Sequence, residues 1–160
     1  MDHDHHYAAH LTWTGAAAGG TTSYRAYSRR HQVSVEGKPV LDLTADPVFR
    51  GDPAILNPED LLLAGLSSCH MLTYLALAAR QGLVVVAYED QATGTMREVG
   101  TGGHFTEVVL NLVVTIAPGK DAAQDAALAE HLHEQAGRDC FLAASMNFPV
   151  KHRVEIKVAG

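Results

Sequence analysis

The sequence predicts an α+β protein, on three observations. Candidate strands, one long helix, more strands, a second helix and a last strand follow one another, instead of repeated βαβ units. Leu61 to Ala79 runs 19 residues without a formal charge, far too long for a strand. Val150, His152, Val154, Ile156 and Val158 alternate with polar residues, the period of a half-buried strand.

The elements follow in order. Residues 1–10 are polar and rich in histidine, and 1–7 read as a loose tail. Leu11 to Gly15 begins a strand. Tyr24 to Val35 and Pro39 to Thr44 read as two strands around the turn Glu36-Gly37-Lys38. Residues 45–56 carry two prolines and a glycine and form a loop. Asn57-Pro58-Glu59-Asp60 then starts a helix. Asn57 is a good N-cap, Pro58 fits the first helical position, and the two acids suit the positive end of the helix dipole. Gly82 stops it.

Leu83 to Met96 and His104 to Ile116 read as strands, with Gly100 to Gly103 as the hairpin turn between them. Pro118-Gly119 is a turn, and Asp121 caps a second helix running to about Gln135 and ended by Gly137. Cys140 to Met146 forms a short helical turn, and Val150 to Val158 is the final strand. No repeat and no linker interrupts the chain, so residues 1–160 read as one domain.

Composition excludes several function classes. A net charge of −6 with only 12 basic residues does not make a nucleic-acid surface. The segment Leu61–Ala79 is close to a membrane span in length. Gly65, Ser67, Ser68, Cys69, His70, Thr73 and Tyr74 dilute it, and no Lys/Arg cluster flanks it, so it reads as a buried helix and not as a membrane segment. The first residues show no apolar export signal, which points to the cytoplasm. There the two cysteines, Cys69 and Cys140, stay as thiols and are not a structural staple. They could be small buried hydrophobes. They could also be reactive, since a thiolate attacks a hydroperoxide and a second thiol traps the resulting sulfenic acid.

Asn57-Pro58-Glu59-Asp60-Leu61-Leu62 with Gly65, then Ser68-Cys69-His70-Met71, and later Gly137-Arg138-Asp139-Cys140, together resemble the OsmC/Ohr family of organic hydroperoxide reductases. Cys69-His70 and Asn147-Phe148-Pro149-Val150 are similar to its less-studied branch. The resemblance implies antiparallel sheets around a long central helix in an intertwined homodimer. It implies that Cys69 is the peroxidatic thiol and Cys140 the resolving one, with an Arg–Glu pair holding thiolate and peroxide. Glu59 matches that glutamate. Arg50 is the first choice for the arginine, with Arg25, Arg29 and Arg30 on the early strand as alternatives. The expected substrate is an organic hydroperoxide and the expected reductant a dithiol, of lipoyl or another small-thiol type. No cofactor is needed. A ligand-binding or redox-sensing module of the same fold is the alternative function.

Glu59 and Cys69, on one straight helix, stand about 15 Å apart along its axis. The glutamate therefore serves the thiol of a partner chain, or acts through a long arginine. Other features carry less. His70 either lines the site or is a buried, satisfied histidine, and the second reading is preferred. His3, His5, His6 and His10 lie in a loose tail that offers no fixed metal geometry, and His131 and His133 have the wrong spacing for one helical face. No metal site is expected.

Overall fold

In the computed structural model, which describes residues 3–160, the chain divides into two compact units, Met1–Leu61 and Leu62–Gly160. Residues 3–9 are exposed and have no regular structure, while Met1 and Asp2 of the expected tail lie outside the described residues.

The first unit holds an antiparallel sheet of β1 (His10–Trp13), β2 (His31–Ser34) and β3 (Leu41–Leu43), in that order. Gly37, at φ +74°, makes the turn from β2 to β3. The strand expected from Tyr24 begins only at His31. Arg29 is the reason. Its guanidinium donates to the carbonyls of Tyr27 (2.6 Å) and Tyr24 (2.7 Å), so these carbonyls curl inward instead of joining a ladder. The expected loop at 45–56 contains a 3-10 turn, Pro47–Phe49, capped by the Asp46 carboxylate on the Val48 amide.

Helix α1 (Pro58–Arg80) starts and stops as its residues require. The Asp60 amide donates to the Asn57 side chain (2.9 Å), and the Asn57 amide donates to the Asp60 carboxylate (3.1 Å), a reciprocal cap. At the other end Gly82 takes φ +73°, and the Leu83 amide bonds the Ala78 carbonyl. By length and composition α1 could cross a membrane. Leu66, His70, Tyr74 and Leu77 nevertheless form a buried stripe along one face.

The second unit is built on β6 (Gly102–Ile116). Strands β4 (Val85–Asp90) and β5 (Thr93–Val99) pair antiparallel with successive stretches of one edge of β6, and β7 (Val150–Val158) runs along the other edge. The single strand expected from Leu83 to Met96 is thus two. The break is tied to Asn111 of β6: its amide donates to the Asp90 carboxylate, and its side chain donates to the Gln91 carbonyl (2.7 Å). The β6–β7 pair is parallel, a departure from wholly antiparallel sheets. A parallel pair needs a crossover, supplied by α2 (Ala122–Asp139) and the short α3 (Phe141–Ala144).

Asp121 caps α2 by accepting from the amides of Ala123 and Gln124. The helix passes through Gly137, where it was expected to stop. A Cβ on Gly137 would stand 2.5 Å from Cε1 of His152. The glycine lets α2 lie close on β7 and does not end the helix. The core has two parts. Tyr74, Leu77, Val114, Ile116, Ala129 and Leu132 join α1, β6 and α2. Leu66, Val108, Leu110 and Leu112 are covered by Ala143, Met146 and Phe148.

Candidate functional site

The two cysteines, 71 positions apart in sequence, meet within the second unit. Cys69 is half-buried on α1 and Cys140 buried at the junction of α2 and α3; both are free thiols. Gly65, one turn before Cys69, faces Leu142 of α3, whose Cδ1 an added Cβ would meet at 3.4 Å, an ordinary contact. Burial pushes the Cys140 thiol up, the amide N–H of Ala143 pulls it down, and the neighbouring Cys69 thiol raises it again. Cys69 is the more accessible residue of the two, and burial favours the protonated form of Cys140. A nucleophile at the surface with a second thiol in reach is what disulfide chemistry requires.

Glu59 and Arg29 line one cavity of about 300 Å³ in the first unit, together with Trp13, Tyr27, His31 and Phe49. Oε2 of Glu59 is buried and has no hydrogen-bond partner. The Arg29 guanidinium lies 3.9 Å over the Tyr27 ring and 4.5 Å over Tyr24, a cation–π clamp that fixes it in the wall. Arg50 is exposed, in the left-handed conformation that ends the 3-10 turn, and is not part of this wall. Arg25 is exposed. Arg30 pairs with Asp52 at 2.8 Å. The Ala54 amide, ahead of Arg30, holds the Asp52 carboxyl below its ordinary range.

His70 is buried, as expected, but only half satisfied: its Nδ1 has no partner, and its Nε2 faces a second histidine. His70 Nε2 lies 3.1 Å from His133 Nδ1. His152 stacks on His70 at 4.4 Å between ring centroids, and Tyr74 stacks on His133 at 3.7 Å. Burial, then the charge of His152, lowers His70 to about 4. Burial, then His70 and His152, lowers His133 to about 3. Tyr74 is pushed up to about 12 by burial. His70 Nδ1, His133 Nε2, His152 Nε2 and the hydroxyls of Tyr74 and Tyr88 are buried without partners. The signal was present: His133 continues the buried stripe Ala129, Leu132, Ala136 of α2, and His152 takes an inward position of β7. Among the described residues no three His, Cys, Asp or Glu side chains are grouped so as to hold a metal ion.

The family model of the OsmC-like proteins matches residues 51–155, from the loop before α1 into β7. The chain belongs to the OsmC-like family. An OsmC-like protein of Vibrio cholerae has 30% identical residues and a TM-score of 0.83, with 95% of this chain and 100% of that one covered. The Bacillus subtilis protein YmaD is 24% identical over 157 residues, 97% of this chain and 95% of its own. A Legionella pneumophila OsmC, named an organic hydroperoxide resistance protein, shares the fold at TM-score 0.69 and 18% identity, covering 98% of this chain and 100% of that one. The α+β OsmC-like fold and the thiol pair are thus features of one family member, with both cysteine segments inside the matched region.

Proposed function

We propose that this OsmC-like protein is a thiol-dependent peroxidase that reduces organic hydroperoxides. The observation that carries the reading is the half-buried Cys69 thiol lying near enough to the buried Cys140 thiol to act on it electrostatically. The Cys69 thiolate attacks one peroxide oxygen. The O–O bond breaks, the leaving alkoxide takes a proton to become ROH, and Cys69 becomes a sulfenic acid. Cys140 then attacks that sulfur, the disulfide forms and water leaves. An external dithiol, of the lipoyl class in this reading, reduces the disulfide by exchange. The thiols carry the chemistry, with no metal, haem or flavin.

Glu59 and a guanidinium orient the peroxide. Arg29 is favoured over Arg50 because it lines the cavity that Glu59 lines. The aromatic wall suits an organic R group better than hydrogen peroxide. Glu59 and Cys69 are about 15 Å apart along the axis of α1, so the cavity of one copy serves the thiols of another in an intertwined homodimer. The exposed apolar side chains of Leu72 on α1 and Phe141 on α3 support that assembly. The chain functions as a single domain in the cytoplasm, where both thiols can be regenerated.

Steady-state turnover of cumene hydroperoxide with dihydrolipoamide tests the assignment of the arginine. Arg29→Lys is expected to lower kcat/KM by about tenfold or more, since lysine cannot reproduce a stacked, forked guanidinium. Arg50→Lys is expected to be near wild type. The reverse order returns the role to Arg50, and no turnover by wild type ends the peroxidase reading.

A further inference from the structure

The buried imidazoles of the second unit have no part in the peroxide steps. Two of them, His70 and His133, lie however on α1 and α2, the helices that carry Cys69 and end at Cys140. His70 directly follows Cys69 on α1. His133 precedes Cys140 by seven residues on α2, two helical turns on the same face. Helix α1 therefore meets α2 through the imidazole pair, and its Cys69 neighbours Cys140, the residue that caps α2. The ring planes of His70 and His133 are 7° apart, so the 3.1 Å contact lies in the plane of both rings, one nitrogen donating and the other accepting. His152 stacks on His70, and Tyr74 stacks on His133.

We propose that the His70–His133 hydrogen bond is a positioning device that holds α1 against α2 so that Cys69 and Cys140 stand ready to form their disulfide. The inference rests on the reading that these two thiols are a redox pair. A disulfide needs its Cβ atoms about 3.8 Å apart and a restricted torsion. The apolar contacts of Tyr74 and Leu77 with Ala129 and Leu132 bury surface in common, but such contacts are non-directional. The imidazole pair is directional, and it is nearly inaccessible, at 1% and 2% exposure. Its alternative partners are few. Asp90 of β4 is engaged by Ser67 at 2.6 Å and by the Asn111 amide at 2.8 Å. His152 and Tyr88 bring no hydrogen bond to the pair.

The test uses the whole protein and no peroxide. The reduced protein is equilibrated anaerobically with mixtures of oxidised and reduced dithiothreitol, quenched, alkylated and weighed. As the S–S bond of the reagent breaks, the Cys69–Cys140 bond forms and two thiol hydrogens pass to the reagent. His133→Leu, which keeps bulk and removes the nitrogen, is expected to move the balance at least about tenfold toward the dithiol. His133→Asn, which retains a polar atom near Nδ1, is expected to stay within about threefold of wild type. The core variant Ile116→Val is expected to match wild type.

Equal balances for wild type and His133→Leu, both folded by circular dichroism, would overturn the proposal. So would equal losses in His133→Leu and His133→Asn. A second readout needs no variant. Coupling is reciprocal, so the imidazole N–H in wild type should exchange with solvent more slowly in the disulfide form than in the dithiol form. Equal exchange rates by NMR would contradict it. A wild type that forms no disulfide at any ratio removes the redox pair and this inference with it. A chain that forms the disulfide here but ignores cumene hydroperoxide refutes the peroxidase and leaves the positioning role standing.

Discussion

At the scale of single residues, the positions that matter most are polar or small residues placed where an apolar one would serve a plain core. Gly137 is one: its missing Cβ makes room for the His152 ring. Gly137→Ala is expected to destabilise the fold by about 1–3 kcal/mol, because overpacking displaces a ring or a helix; urea denaturation measures it, and an unchanged midpoint would contradict the close approach. The buried histidines predict an acid-labile fold. Their pKa values, about 4 for His70 and about 3 for His133, lie below the 6.5 of the unfolded chain, and His152 is lowered as well, chiefly by burial. From about pH 6.5 downward the unfolded chain binds more protons than the fold, so stability rises with pH in this window. It is complete above about 6.5 and is lost as pH falls toward the folded values, at up to about 1.4 kcal/mol per pH unit for each imidazole. The urea midpoint at pH 5 should therefore lie below that at pH 7, and a smaller drop is expected for His133→Gln. Cys69, Cys140 and Glu59 are candidates that the sequence offers because each sits in a local motif. It does not offer the His70–His133 contact, since 63 positions separate its partners and only their inward periodicity gave a sign. Arg29 is one of four candidate arginines, and what favours it in the proposed reading is the cavity it shares with Glu59, which a segment that reads as strand does not announce.

At the scale of elements, local chemistry was the better guide. Helix α1 begins after Asn57 and stops before Gly82, as capping requires, and β7 covers Val150–Val158. Asn57→Ala should cost about 1 kcal/mol through loss of the reciprocal cap with Asp60, read as a lower thermal midpoint; a midpoint equal to wild type would show that the start of α1 is held by other contacts. Errors arose where a tertiary contact overrode a local signal. Apolar residues continue from Leu83 to Met96, yet the strand breaks where Asn111 grips Asp90 and Gln91. Gly137 reads as a helix stop and is a packing site. The parallel β6–β7 pairing had no local signature at all, because strand direction is decided by the crossover through α2 and α3.

At the scale of the whole molecule, the family fold joins a thiol pair that the sequence separates. It leaves apolar side chains at Leu72 and Phe141 that a second copy would cover. Light scattering is expected to give a dimer for wild type, and Leu72→Glu to shift it toward monomer and lower peroxide turnover together. A monomeric wild type with full turnover would contradict the shared site. The most direct test of the thiol peroxidase is the intact mass of reduced protein after one equivalent of cumene hydroperoxide without oxygen. Wild type should lose two hydrogens as the Cys69–Cys140 disulfide forms, Cys140→Ser should gain one oxygen at Cys69, and Cys69→Ser should be unchanged. If Cys69→Ser is oxidised as fast as wild type, or if none of the three reacts, Cys69 is not a peroxidatic thiol.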